Sequence, residues 1–123
     1  MTHLQTKKWV DFSAPKDTKI MRDLVQKTRN LTANPADPIL VHCSAGVGRS
    51  GTFIAVYKLI EEYLDNEKKV LDVYSTVMEM RGQRMKMVQK PPQYVYIFKC
   101  LRDEIISEEA DGHYYEIWID CTM

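Results

Sequence analysis

Apolar positions along this chain recur mostly at helical spacing, and proline or glycine falls at the breaks. Ile20, Met21, Leu24, Val25 and Leu31 predict a helix opened by Pro15-Lys16-Asp17 and stopped by Asn34-Pro35-Ala36-Asp37-Pro38. Ile39 to His42 is a short apolar run, read as a buried strand. From Ser50 to Asn66, apolar residues from Phe53 to Leu64 occupy most of a cylinder, so this helix expects burial on several sides. Asp72 to Arg81 predicts a third helix, with Val73, Val77 and Met80 inward and Gly82 as its stop. Residues 83–91 read as a loop. Pro92 opens a fourth helix, to about Ser107, that packs Val95, Ile97, Phe98, Leu101 and Ile105. His3 to Lys8 reads as the end of a further strand. Residues 108–123 are acidic and aromatic without a period, and a mobile or loosely docked tail is expected there.

Composition narrows the class. The chain has 123 residues, 45% of them apolar, which suits one globular domain at most. Its zero formal charge hides a split. All 17 basic residues and ten of the 17 acidic ones lie in residues 1–102, a body of net +7, while the other seven acids give the remainder net −7. A basic body suits anionic substrates through steering of encounter. The basic residues do not form a stripe with aromatic neighbours, which argues against nucleic acid. Cys43, Cys100 and Cys121 are odd in number and widely spaced, neither a disulfide framework nor a zinc pattern. A cytoplasmic, reducing compartment fits. No apolar run is long enough to span a bilayer, and the oligomeric state is left open.

The chemistry concentrates in Val41-His42-Cys43-Ser44-Ala45-Gly46-Val47-Gly48-Arg49-Ser50-Gly51. Glycines let successive N–H groups point into one concavity. The helix that follows adds orphan N–H groups and its positive end. Arg49 brings a planar fork that grips two phosphate oxygens. Such a field lowers the pKa of a thiol at its base, which makes Cys43 a nucleophile facing a bound phosphate. A nucleotide-binding P-loop is excluded because no Gly-Lys-Ser/Thr occurs. Arg81 and Arg84 are read as salt-bridging residues rather than phosphate ligands, and Cys100 as a buried structural thiol.

His42-Cys43, five residues, then Arg49-Ser50 resembles the signature loop of the cysteine-dependent protein phosphatases, in their tyrosine-specific branch. Trp9-Val10-Asp11 with Ala14-Pro15 resembles that family's general-acid loop, and Met87-Val88-Gln89-Lys90-Pro91-Pro92-Gln93 its glutamine loop. The resemblance implies an α/β fold: the C-terminal half of a protein tyrosine phosphatase domain over residues 1–107, about four helices around one or two short central strands. It implies that Cys43 attacks phosphorus and forms a cysteinyl-phosphate. Arg49 and the N–H groups of Ser44, Ala45, Gly46, Val47 and Gly48 bind the oxygens. Asp11 is general acid and then base, Gln89 orients water with Gln93 assisting, and Ser50 stabilises the leaving thiolate. His42 and Trp9 support the loops. No metal or other cofactor is required, and the partners are phosphotyrosine proteins.

Val10 stands where the family usually has proline, so the acid loop is less pre-set, and Lys90 replaces a small hydroxyl residue. Only eight residues precede Trp9, against a long upstream half in the family. The apolar helix at 50–66 is therefore expected to lack cover and the isolated chain to be marginal. The alternative function is a catalytically impaired fragment that binds phosphotyrosine or regulates.

Overall fold

The computed structural model describes residues 3–5, 14, 17–32, 34, 38–43, 48–65, 70–110 and 118–120, without the side chains of 108–110 and 118–120. In chain order the elements are α1 (Lys19–Leu31), α2 (Arg49–Asp65), β1 (Val70–Asp72), α3 (Val73–Gln83), α4 (Pro91–Ala110) and β2 (Trp118–Asp120). The four predicted helices are all present. α2 is the hub and packs on α4, α3, α1 and β1. Nine of its residues are buried, among them Phe53, Val56, Leu59, Ile60 and Tyr63. The expected lack of cover is thereby corrected: three helices on different sides meet its apolar surface.

Local chemistry explains where the helices start. Asp17 Oδ1 accepts the Lys19 N–H at 2.8 Å, so α1 begins after the acid rather than at Pro15. Asp72 caps α3, accepting from Ser75 N at 2.9 Å and from Ser75 Oγ at 2.7 Å. Gly82 lies inside α3 rather than at its stop. Two apolar residues assigned inward are turned out: Leu31 is 55% and Val95 49% exposed. Val95 lies off the stripe that Gln93, Tyr96, Ile97, Cys100 and Leu101 bury at three- and four-residue spacing.

The strands differ from expectation. Residues 38–43 form no strand, and Leu40 is 86% exposed, which corrects the buried strand read over Ile39 to His42. A strand needs a neighbour for its N–H and C=O groups, and among the described residues none pairs with this segment. The sheet consists of β1 and β2 instead, parallel, with Val70 opposite Trp118 and Asp72 opposite Asp120. Part of the patternless tail therefore carries a strand. His3 to Gln5 is irregular, and the rest of that predicted strand lies outside the described residues.

A polar clamp joins the start of α1 to α4. Thr18 Oγ1 donates to Asp103 Oδ2 at 2.5 Å, Arg22 Nε to Glu104 at 3.1 Å and the Tyr96 hydroxyl to the Asp17 carbonyl at 2.7 Å. The Thr18 hydrogen bond holds the Asp103 carboxyl below its ordinary range. Burial keeps the Tyr96 phenol protonated well beyond the usual tyrosine range and pushes the Cys100 thiol up to about 12, as the reading of Cys100 as structural requires.

Candidate active site

The described part of the site gathers at the N-terminal end of α2. Cys43 closes the irregular segment 38–43 and is half-buried, while His42 beside it is exposed. Ser44, Ala45, Gly46 and Val47, and likewise Trp9 and Asp11, lie outside the described residues. Gly48 is buried, and its carbonyl accepts the Thr52 N–H at 3.0 Å and the Thr52 hydroxyl at 2.8 Å. That is the first rung of α2. The N–H groups of Arg49, Ser50 and Gly51 are therefore first-turn donors at the positive end of the helix. Arg49 is half-buried and Ser50 is 3% exposed. The Ser50 hydroxyl has no hydrogen-bond partner among the described residues.

The loop between α3 and α4 docks on this end of α2. A Cβ built on Gly48 would stand 3.0 Å from Gln93 Nε2 and 3.3 Å from Gln89 Oε1, so both glutamines lie against the first turn. Gly51 makes an even closer approach: a Cβ there would sit 2.6 Å from the Val88 nitrogen. Glycine is required at that position because the loop backbone occupies the side-chain space. Gln89 is half-buried, and its Oε1 has no hydrogen-bond partner among the described residues.

The loop is held in an unusual shape. Lys86 has φ 66° and Val88 φ 59°. For a β-branched residue the left-handed region is strained, at a cost of about 1–3 kcal/mol. Four hydrogen bonds fix it. Gln93, fully buried, accepts through Oε1 the N–H groups of Gln89 and Lys90, both at 3.0 Å. This is the reach-back of a third-position glutamine onto the N-cap of its own helix. Arg81 donates from Nε to the Met87 carbonyl at 2.9 Å and from Nη2 to the Val88 carbonyl at 2.8 Å. The salt bridge expected for Arg81 is thus replaced by a bond to loop carbonyls. Sequence reading also missed the capping role of Gln93, although the glutamine at the third position of a helix opened by prolines was its signal.

The structure therefore brings Gln89, Gln93, Gly48, Arg49 and Ser50 to one helix end. Cys43 precedes that end across four residues that are not described. No helix among the described residues is long and apolar enough to cross a membrane.

Comparison with known proteins agrees with the geometry. The family model for protein-tyrosine phosphatase matches residues 1–103. The chain is 37% identical over 103 residues to protein-tyrosine-phosphatase PTP1 of Arabidopsis thaliana, covering 84% of this chain and 30% of that one. It is 45% identical over 105 residues to receptor-type tyrosine-protein phosphatase eta of Gallus gallus, covering 82% of this chain and 7% of the relative. The crystal structure of the Trypanosoma cruzi protein tyrosine phosphatase TcPTP1 superposes with a TM-score of 0.68 at 30% identity, covering 85% of this chain and 36% of that one. The chain spans less than a third of the length of these curated relatives. With the matching region running from the acid-loop segment through the glutamine loop to the middle of α4, the chain belongs to the protein-tyrosine phosphatase family.

Proposed function

We propose that this chain hydrolyses phosphotyrosine in proteins through a cysteinyl-phosphate. The observation that carries the reading is the docking of Gln89 and Gln93 against Gly48, beside Arg49 and the buried Ser50 hydroxyl. Polar groups without a partner among the described residues converge on one helix end and need an explanation, and a phosphoryl group bound there supplies it.

In the first step Cys43 Sγ attacks phosphorus and the P–O bond to the tyrosine breaks. Asp11 gives its proton to the departing phenolate oxygen. Arg49 and first-turn N–H groups meet the charge on the three non-bridging oxygens, the electrostatic work that dominates phosphoryl transfer. In the second step a water oxygen attacks phosphorus and the P–S bond breaks. Its electron pair stays on Cys43 Sγ, near the Ser50 hydroxyl, and the water proton passes to Asp11. Gln89 orients the water.

Phosphotyrosyl-peptide hydrolysis tests this. Cys43→Ser abolishes turnover, and Asp11→Ala slows the first step by about 10²–10⁴-fold. Full activity in Cys43→Ser would end the proposal. A second reading, binding without turnover, draws support from the exposed Ile39 and Leu40 shortly before Cys43, in a segment that pairs with no strand among the described residues. It predicts phosphopeptide affinity that Arg49→Ala removes, read by calorimetry in a chain with no turnover.

A further inference from the structure

We propose that Arg81 is a positioning residue for Gln89, and that it acts by fixing the peptide plane just before it. The peptide unit between Val88 and Gln89 is held at both ends. Its carbonyl accepts from Arg81 Nη2 at 2.8 Å, and its N–H donates to Gln93 Oε1 at 3.0 Å. The preceding carbonyl, of Met87, accepts from Arg81 Nε at 2.9 Å. The following N–H, of Lys90, shares Gln93 Oε1. Arg81 therefore holds the carbonyl side of the loop and Gln93 the amide side.

The brace is needed because the loop is strained and dense. Val88 is 2% exposed at φ 59°, a conformation that persists only where the surroundings over-determine it. The loop belongs to no helix or sheet, so its carbonyls need other donors. A guanidinium presents two N–H groups in a fixed fork and matches two successive carbonyls. A lysine ammonium lacks that fork. Released from Arg81, Val88 would relax toward negative φ, turn the 88–89 plane and swing Gln89 away from Gly48.

The inference rests on the proposed reaction, in which Gln89 aims the water that breaks the P–S bond and returns the electron pair to Cys43 Sγ. Two experiments separate it from that reading. The first needs no catalysis: amide hydrogen exchange at Gln89 and Lys90 in the full chain and in Arg81→Met. With two hydrogen bonds from a charged donor removed, exchange should rise about tenfold or more. The second is rapid-quench kinetics with a phosphotyrosyl peptide. In Arg81→Met the formation of phosphoenzyme keeps its rate while its hydrolysis slows about 10–100-fold, the range for misplacement of a reacting group by an ångström. Phosphoenzyme then accumulates. Arg81→Lys, which keeps the charge, falls between the two and covers the case in which the methionine variant fails to fold.

Unchanged exchange at Gln89 and Lys90 in either variant overturns the brace. Faster exchange with an unchanged rate of phosphoenzyme hydrolysis also overturns it, as a purely structural contact. Faster exchange in the variants, with no turnover in the wild-type chain, overturns the proposed reaction and leaves the brace standing.

Discussion

Replacing Gly51 by alanine sets two physical effects against each other. Within a helix, alanine is favoured over glycine by up to about 1 kcal/mol. Position 51 lies in the first turn of α2, so local propensity alone predicts stabilisation. Tertiary structure predicts the reverse. The new Cβ would stand 2.6 Å from the Val88 nitrogen and 3.3 Å from the Met87 carbonyl carbon, both backbone. Ordinary contact begins near 3.4 Å, so helix and loop must part by about 0.8 Å. The loop is pinned by Arg81 and Gln93 and carries a strained Val88, so it yields poorly. Overpacking of this kind costs about 1–3 kcal/mol, which leaves a net loss of up to about 2 kcal/mol after the propensity gain. The melting temperature then falls by up to roughly 8 °C for a domain of this size. Gly82→Ala is the internal control. That glycine is also helical, but a Cβ there meets nothing within 4 Å, so the same substitution should raise stability by about 0.5–1 kcal/mol. Thermal and urea unfolding of both variants beside wild type measure the difference. A Gly51→Ala chain as stable as Gly82→Ala would refute the close approach of helix and loop.

Three further outcomes follow from the structure. Gln93→Ala leaves two N–H groups of the loop without their acceptor and should cost about 2 kcal/mol or more in urea unfolding; a loss under half that would mean the N–H groups find other partners. Asp103 titrates below its ordinary value, chiefly through the Thr18 hydrogen bond. Its contribution is therefore full above the unfolded carboxylate pKa of about 3.9 and lost as pH falls through the lower folded value. Thr18→Val should flatten the acid limb of the unfolding midpoint between pH 5 and 2, roughly the window of carboxylate titration, and an unchanged limb would contradict it. Cys100 is fully buried with its thiol pushed up to about 12, so iodoacetamide at neutral pH should modify the half-buried Cys43 before Cys100, as read by peptide mass mapping. Equal rates at Cys43 and Cys100 would refute the burial of Cys100.

Much of the fold was legible because it is local. Four helices follow from apolar spacing. Misplaced residues mark where neighbours decide. Leu31 and Val95 look like core residues by type, yet no described element packs over them and they stand exposed. The run Ile39 to His42 has a strand's composition, but a strand exists only by pairing, and Val70 to Asp72 found its partner forty-eight residues further on in an acidic tail with no period of its own.

The sequence by itself supplied the candidate chemistry: Cys43, Arg49 after five intervening residues and the helix behind them, since the proposed phosphate cradle draws on contiguous backbone and one helix end. Tertiary structure alone decided how the second half of the site is mounted. Gln89 reaches Gly48 because Gly51 admits the loop backbone, Gln93 holds its amides and Arg81 its carbonyls. These contacts join three helices across loops, and spacing along a chain carries no record of distances between elements packed in space.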